Sequence, residues 1–178
     1  MYEDLRIIFY PDPRLRKPSE PVTAFDADLA ALAAKMIALM HAERGVGLAA
    51  PQVGVNVRMF VTNHTGQPGD DQIVVNPRLL DAEGSETDEE GCLSLGPKIR
   101  AEVDRATRLR LVAQDVQGRP FERVGDDFLA RIWQHEFDHL NGVMIIDRMN
   151  TVARMAVRKK LKELEADFAP KQRSRLFG

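Results

Sequence analysis

Gln134-His135-Glu136-Phe137-Asp138-His139 sets two imidazoles four residues apart with a carboxylate beside the first. Residues i and i+4 of an α-helix lie one above the other on the same face. His135 and His139 can therefore offer ring nitrogens to one ion, and Glu136 lies close enough to move a proton on a metal-bound water. The flanks predict the helix: Phe128, Leu129, Ile132 and Trp133 precede the motif at helical spacing, and Asn141-Gly142 follows Leu140 as a stop. Asp126 and Asp127 are candidate N-caps. The same residues also fit a solvated helix face, and two histidines do not close a zinc or iron site. A third ligand has to come from elsewhere, and Cys92 is the obvious candidate.

Composition narrows the class before that candidate is weighed. A chain of 178 residues is the size of one domain and long enough to bury a core. With 44% hydrophobic and 29% charged residues it reads as an ordinary soluble globular protein. The net charge of -2 gives no global signal for nucleic acid, although a local basic patch is compatible with it. No apolar run reaches bilayer length, and the acidic Met1-Tyr2-Glu3-Asp4 does not lead into a signal-peptide core, so a cytoplasmic protein is expected.

A lone cysteine has no disulfide partner within the chain, which leaves Cys92 as a small buried hydrophobe or a functional thiolate. Its setting, Glu89-Glu90-Gly91-Cys92-Leu93-Ser94, favours the second reading, because acidic neighbours suit a core position poorly. A thiolate beside two carboxylates needs a nearby cation, and a metal ion would serve. A third segment, Gly45-Val46-Gly47-Leu48-Ala49-Ala50-Pro51-Gln52, follows an amphipathic helix expected from about Asp26 to His41. Leu29, Leu32, Ala33, Met36, Ile37 and Met40 form its stripe, and Gly45 is placed to end it. The small residues let a backbone or ligand lie close, or simply form a tight core turn. No Gly-Lys-Ser/Thr ending follows, which sets aside a phosphate loop.

These three segments together resemble the peptide deformylase family, of the bacterial or organellar type with a C-terminal helix. Its Gly-x-Gly-x-Ala-Ala-x-Gln, Glu-Gly-Cys-x-Ser and His-Glu-x-x-His motifs match Gly45–Gln52, Glu90–Ser94 and His135–His139, in order. Asn76-Pro77 and Arg100-Ala101 extend the likeness, which runs from about Gly45 to Asp147. The resemblance implies one divalent metal held by Cys92, His135 and His139, iron(II) in the cell, with zinc, nickel or cobalt as replacements. It implies Glu136 as general base and then general acid, with Gln52 and the Leu93 backbone N–H facing the formyl oxygen. Gly47 would hold the peptide extended, similar to strand addition. The implied reaction is attack of metal-bound hydroxide on the formyl group of an N-terminal formyl-methionine on a nascent peptide, releasing formate.

By the same resemblance Val46, Leu48, Phe128, Ile132 and His135 line or border the methionine pocket, and Glu90, Gly91 and Arg100 lie at the substrate. Each apolar member fits ordinary core equally well. The segment Ser94 to Arg100 is one residue longer than the frequent family form, which puts the mapping of Arg100 in question. Arg131 beside this wall has an open role, Trp133 reads as a packing residue, and His41 and His64 lack partners at ligand spacing.

The rest is expected to form one α+β domain, with antiparallel or mixed sheets around a central metal-binding helix, an N-terminal helix and a C-terminal helix. Residues 1–150 would carry the catalytic part, and residues 151–178 a last helix and basic tail of the same domain. Residues 11–21 read as a proline-rich arm. Residues 58–62, 73–76, 108–115 and 121–124 read as strands, with Gln117-Gly118 as a hairpin turn. The last helix is expected over about Thr151 to Phe168, with Met155, Val157, Leu161 and Leu164 as apolar positions. Its basic residues, continued by Lys171, Arg173 and Arg175, fit a solvated face or, by the resemblance, a ribosome contact. Two alternatives stay open: a metallopeptidase of the His-Glu-x-x-His type, and a non-catalytic ribosome- or metal-binding homologue.

Overall fold

The computed structural model describes residues 5–176, with side chains described as far as residue 168. Helix α1 (Ala27–Ala42) starts where the Asp26 carboxylate accepts the Leu29 N–H at 3.0 Å. Leu29, Leu32, Ala33, Met36 and Met40 are buried as the periodicity predicts, while Ile37 is only partly buried. The helix stops differently from expectation. Arg44, not Gly45, takes the left-handed conformation, with φ of 56°, and the Gly45 N–H donates to the Met40 carbonyl at 2.8 Å. Gly45 serves another purpose: a Cβ there would lie 2.9 Å from Leu93 Cδ1, so its bareness lets two distant segments meet.

Seven strands follow in the order β1 (Gly47–Ala49), β2 (Met59–Thr62), β3 (Gln72–Glu83), β4 (Glu86–Gly91), β5 (Arg100–Arg105), β6 (Arg108–Gln114) and β7 (Pro120–Asp126). Five form one antiparallel sheet ordered β1-β2-β3-β6-β7, and β4 with β5 forms a separate antiparallel ribbon. Every paired strand is antiparallel, as the expected α+β class allows, and a parallel pairing occurs only as an isolated bridge between Glu20 and Val57 among the described residues. The four expected strands correspond to β2, β3, β6 and β7. Strand β3 runs longer than expected because register shifts around Val75/Arg78 and Leu80/Glu83, with Asn76 and Asp81 at positive φ, carry it past Pro77. Gly118, at φ of 82°, makes the expected turn.

Helix α2 (Asp127–Leu140) buries Ala130, Trp133 and Leu140 in a cluster with Phe60, Leu109 and Leu111 of the large sheet. Asp126 takes the N-cap position as expected, but its carboxylate pairs with Arg108 and makes no cap bond, and Asp127 is the first helical residue, with φ of 46°. After the short helix α3 (Ile145–Arg148), helix α4 (Thr151–Leu176) extends past the expected end. Val157 and Leu161 bury it against Ile99 and Val103, with Leu164 partly buried. Met155 does not join them and is 68% exposed, because two residues along a helix turn the side chain to the far face. The side chains of Lys171, Arg173 and Arg175 lie outside the described residues. No described helix is long and apolar enough to cross a membrane.

Candidate metal centre

Helix α2 carries His135 and His139, and Cys92 follows directly on β4. The three candidate donor atoms lie within 4.8 Å of one another. His139 Nε2 is 3.3 Å from Cys92 Sγ and 3.3 Å from His135 Nε2. Three converging nitrogen and sulfur donors fit a zinc- or iron-type ion, which Cys92, His135 and His139 would hold. Burial holds the pKa of His139 well below that of a free imidazole, which keeps its ring neutral and able to donate a lone pair. Burial also opposes a proton on His135, yet hydrogen bonds to Cys92 and Glu90 raise its pKa well above the usual value. A bound cation would replace that proton.

Glu136 follows His135 and turns toward β1. Its Oε1 occupies the space a side chain at position 47 would need: a Cβ on Gly47 would lie 2.3 Å from that oxygen. Its Oε2 is buried and has no hydrogen-bond partner among the described residues. Burial pushes the Glu136 pKa up to about 7, with His135 opposing and Glu90 reinforcing the shift. A carboxyl group tuned near neutrality is suited both to accept and to return a proton.

Gln52 sits in a 3-10 turn, Ala50–Val53, whose Pro51 and buried neighbours fix it. Its Oε1 accepts the Ala49 N–H at 2.8 Å, which turns Nε2 toward Ser94 Oγ at 3.3 Å and Cys92 Sγ at 3.6 Å. Leu93 opens the 3-10 turn Leu93–Leu95, where an N–H has no preceding intrahelical carbonyl. The N-terminal arm braces both turns, since the Ile8 N–H donates to the Gln52 carbonyl at 2.8 Å and the Tyr10 N–H to the Ser94 carbonyl at 2.9 Å.

A groove of about 550 Å³ runs between β1, the Cys92 segment and α2. Val46 and Phe128 are exposed at its rim, and Ile132 lies in its wall. Leu48 does not face it: fully buried in the α1 core, it is a packing residue, because strand alternation turns it away from the side on which Gly47 meets Glu136. Gly91 and Arg100 are register partners on the groove, and Arg100 pairs with Glu89 at 3.2 Å in a largely exposed contact. Ile7 and Phe9 also line the groove, and the sequence gives no sign of them, because an apolar pair in an irregular arm has no period to mark it.

Glu90 departs most from expectation. It borders the groove but commits its carboxylate inward: Oε1 accepts from Arg105 Nε at 2.8 Å and Arg131 Nη1 at 3.0 Å, and Oε2 from Arg105 Nη2 at 3.0 Å and His135 Nδ1 at 2.9 Å. Burial opposes its charge, yet the bonds from His135 and Arg105 outweigh it and bring the pKa down to about 2. The bond to Nδ1 orients the His135 ring and aims Nε2 at the other donors. Arg105 also meets Asp138 at 2.6 Å, and Asp138 receives Arg148 at 2.5 Å. Arg105 and Asp138 join the site unannounced by any motif, although Arg131, Gln134, His135 and Asp138 form a visible polar stripe at i, i+3, i+4 and i+7. His41, outside the site, pairs with Asp71 at 2.7 Å.

The family model described as polypeptide deformylase matches residues 4–155. The peptide deformylase of Thermotoga maritima is 44% identical over 160 residues, 89% of this chain and 95% of its own. That of Acidobacterium capsulatum is 40% identical over 161 residues, 89% and 94% of the two chains. Among solved structures, a peptide deformylase from Legionella pneumophila superposes with a TM-score of 0.85 at 40% identity, over 92% of this chain and 96% of that one. Arabidopsis thaliana peptide deformylase 1B in complex with an inhibitor gives 0.89 at 38% identity, over 93% of each chain.

Proposed function

The chain belongs to the polypeptide deformylase family, and from that premise we propose that it removes the formyl group from the N-terminal formyl-methionine of nascent polypeptides, releasing formate. The observation that carries this reading is Glu136 Oε2, buried without a hydrogen-bond partner among the described residues beside the Cys92, His135 and His139 donors. A site built only to hold an ion has no use for a second carboxylate oxygen tuned near neutrality and left free. A divalent ion held by those three donors would supply Lewis acidity and lower the pKa of the attacking water. Iron(II) is our choice for the cell, with zinc, nickel or cobalt accepted by the same donors.

Glu136 takes a proton from the attacking water and delivers one to the departing amine nitrogen as the carbon–nitrogen bond breaks, which leaves formate and a free N-terminal methionine. The Gln52 side-chain amide and the Leu93 backbone N–H donate to the formyl oxygen as it gains charge. Loss of one such donor typically costs about 10²- to 10³-fold in turnover. Strand β1 ends the large sheet, so its outer edge is available for main-chain bonds with an extended peptide beside Gly47. Val46, Phe128 and Ile132 offer apolar contacts for the methionine side chain. We place residues 1–150 in the catalytic unit, with residues 151–178 in the same domain, and assign the protein to the cytoplasm. The exposed Arg158, Lys159 and Lys162 on α4 would support a salt-dependent ribosome contact.

The test is anaerobic formate release from formyl-Met-Ala-Ser by protein loaded in turn with iron, nickel and zinc. Glu136→Ala is expected to retain metal and lose nearly all turnover. Unchanged turnover would remove Glu136 from the mechanism, and cleavage of unformylated peptides would point to a metallopeptidase instead.

A further inference from the structure

The ligand set comes from two separate bodies, because Cys92 hangs from the β4–β5 ribbon while both histidines ride on α2. Those bodies share no sheet, so something else has to fix the distance between thiolate and imidazoles. We propose that Arg131 is the positioning residue that does so, by clamping both strands of the ribbon to α2.

Its guanidinium makes three bonds, all across that boundary. Nη1 donates to Glu90 Oε1 at 3.0 Å and to the Val103 carbonyl at 2.8 Å, and Nη2 donates to the Glu86 carbonyl at 2.8 Å. Glu86 and Glu90 belong to β4 and Val103 to β5, so one planar group ties two strands. Arg131 is only 6% exposed, and it shares Glu90 Oε1 with Arg105 Nε while reaching the Val103 and Glu86 carbonyls across the boundary. Side chains two apart on a strand share a face, so fixing Glu90 also fixes the direction from which Cys92 leaves β4. The Glu90 carboxylate in turn orients His135, so Arg131 acts on two ligands through one acceptor. The fork matters: five donors in a rigid plane reach carboxylate and carbonyls at once, which an ammonium cannot do. Gln134 adds a weaker tie, exchanging two hydrogen bonds with the Ala106 backbone beyond β5.

This assignment rests on the metal ligation proposed above, and cobalt(II) spectroscopy separates the two. Cobalt-loaded wild type is expected to show a thiolate-to-cobalt charge-transfer band from Cys92, and its absence there would overturn the ligand set together with the role of Arg131. Arg131→Met keeps length and apolar bulk while removing every donor. It is expected to weaken that band, to lower cobalt affinity about 10- to 100-fold, and to reduce kcat more than it raises KM. Because Arg131 lines the groove, millimolar guanidinium is expected to restore the band in Arg131→Ala. A wild-type band and affinity with only a lowered Tm would make Arg131 a stability residue and overturn the proposal. A raised KM alone would make it a substrate contact and overturn the proposal equally. If Arg131→Met does not fold, Arg131→Lys is measured instead: a partly weakened band supports the clamp, and a wild-type band and affinity rejects it.

Discussion

Helix α2 meets the large sheet and the β4–β5 ribbon through opposite chemistry. Toward the sheet it turns Ala130, Trp133 and Leu140, which pack on Phe60, Leu109 and Leu111. Toward the ribbon it turns Arg131, Gln134, His135 and Asp138, which meet Glu90, Arg105 and backbone carbonyls. Apolar packing is non-directional and tolerates small shifts of the helix as long as volume is kept. A buried ion network is directional, and each member left unpaired carries its full desolvation cost. The sheet side therefore holds the helix in place, and the ribbon side sets where the ligands point.

The largest expected effects come from one cut on each side. Trp133→Ala should destabilise the fold by about 3–5 kcal/mol in denaturant unfolding. Arg105→Met, which takes one buried cationic partner from both the Glu90 and the Asp138 carboxylates, should cost a similar ~3–5 kcal/mol. Metal titration separates them: Arg105→Met should also lose metal affinity, about 10- to 100-fold, whereas Trp133→Ala, wherever it remains folded, should keep it. Equal metal loss in both would dissolve the distinction between the two faces.

Acid titration sharpens it next. Glu90 has a folded-state pKa near 2 against an ordinary 4.5, so its stabilisation is fully present above 4.5 and is lost as pH falls from 4.5 toward 2. That loss is on the order of 3 kcal/mol and should vanish in Glu90→Gln, read from unfolding of chelator-treated protein between those limits. The smallest effect belongs to Arg100→Ala. Its pair with Glu89 is exposed, so stability should change by less than about 1 kcal/mol. A larger change would mean that the rim takes part in the network.

The same division explains what is legible in the sequence. On the apolar side α1, α2 and β6 follow simple periods, β2 is a short continuous buried run, and the His135, Glu136 and His139 spacing is local to one helix. The ribbon has no such period. Strand β4 is Glu-Thr-Asp-Glu-Glu-Gly, a composition depleted in strands, with only Glu90 buried. Strand β5 does alternate, burying Ala101, Val103 and Arg105, but its third inward residue is an arginine, which hides the pattern. The role of Arg131 is hidden for the same reason, since its partners lie 28 to 45 residues away and no local spacing announces them. Leu48 is easily misplaced because a three-residue strand buried throughout gives no sign of which face meets the groove.

Gly47 is where this architecture touches heredity. The proposed proton carrier fits because one residue on the edge strand has a hydrogen where all others have a carbon. Glycine and alanine codons differ by a single nucleotide. That one substitution would push the Glu136 carboxylate out of its place beside β1 without touching Cys92, His135 or His139. A descendant of this chain could lose its chemistry in one mutational step and keep its fold, its three candidate metal donors and two of its three motifs.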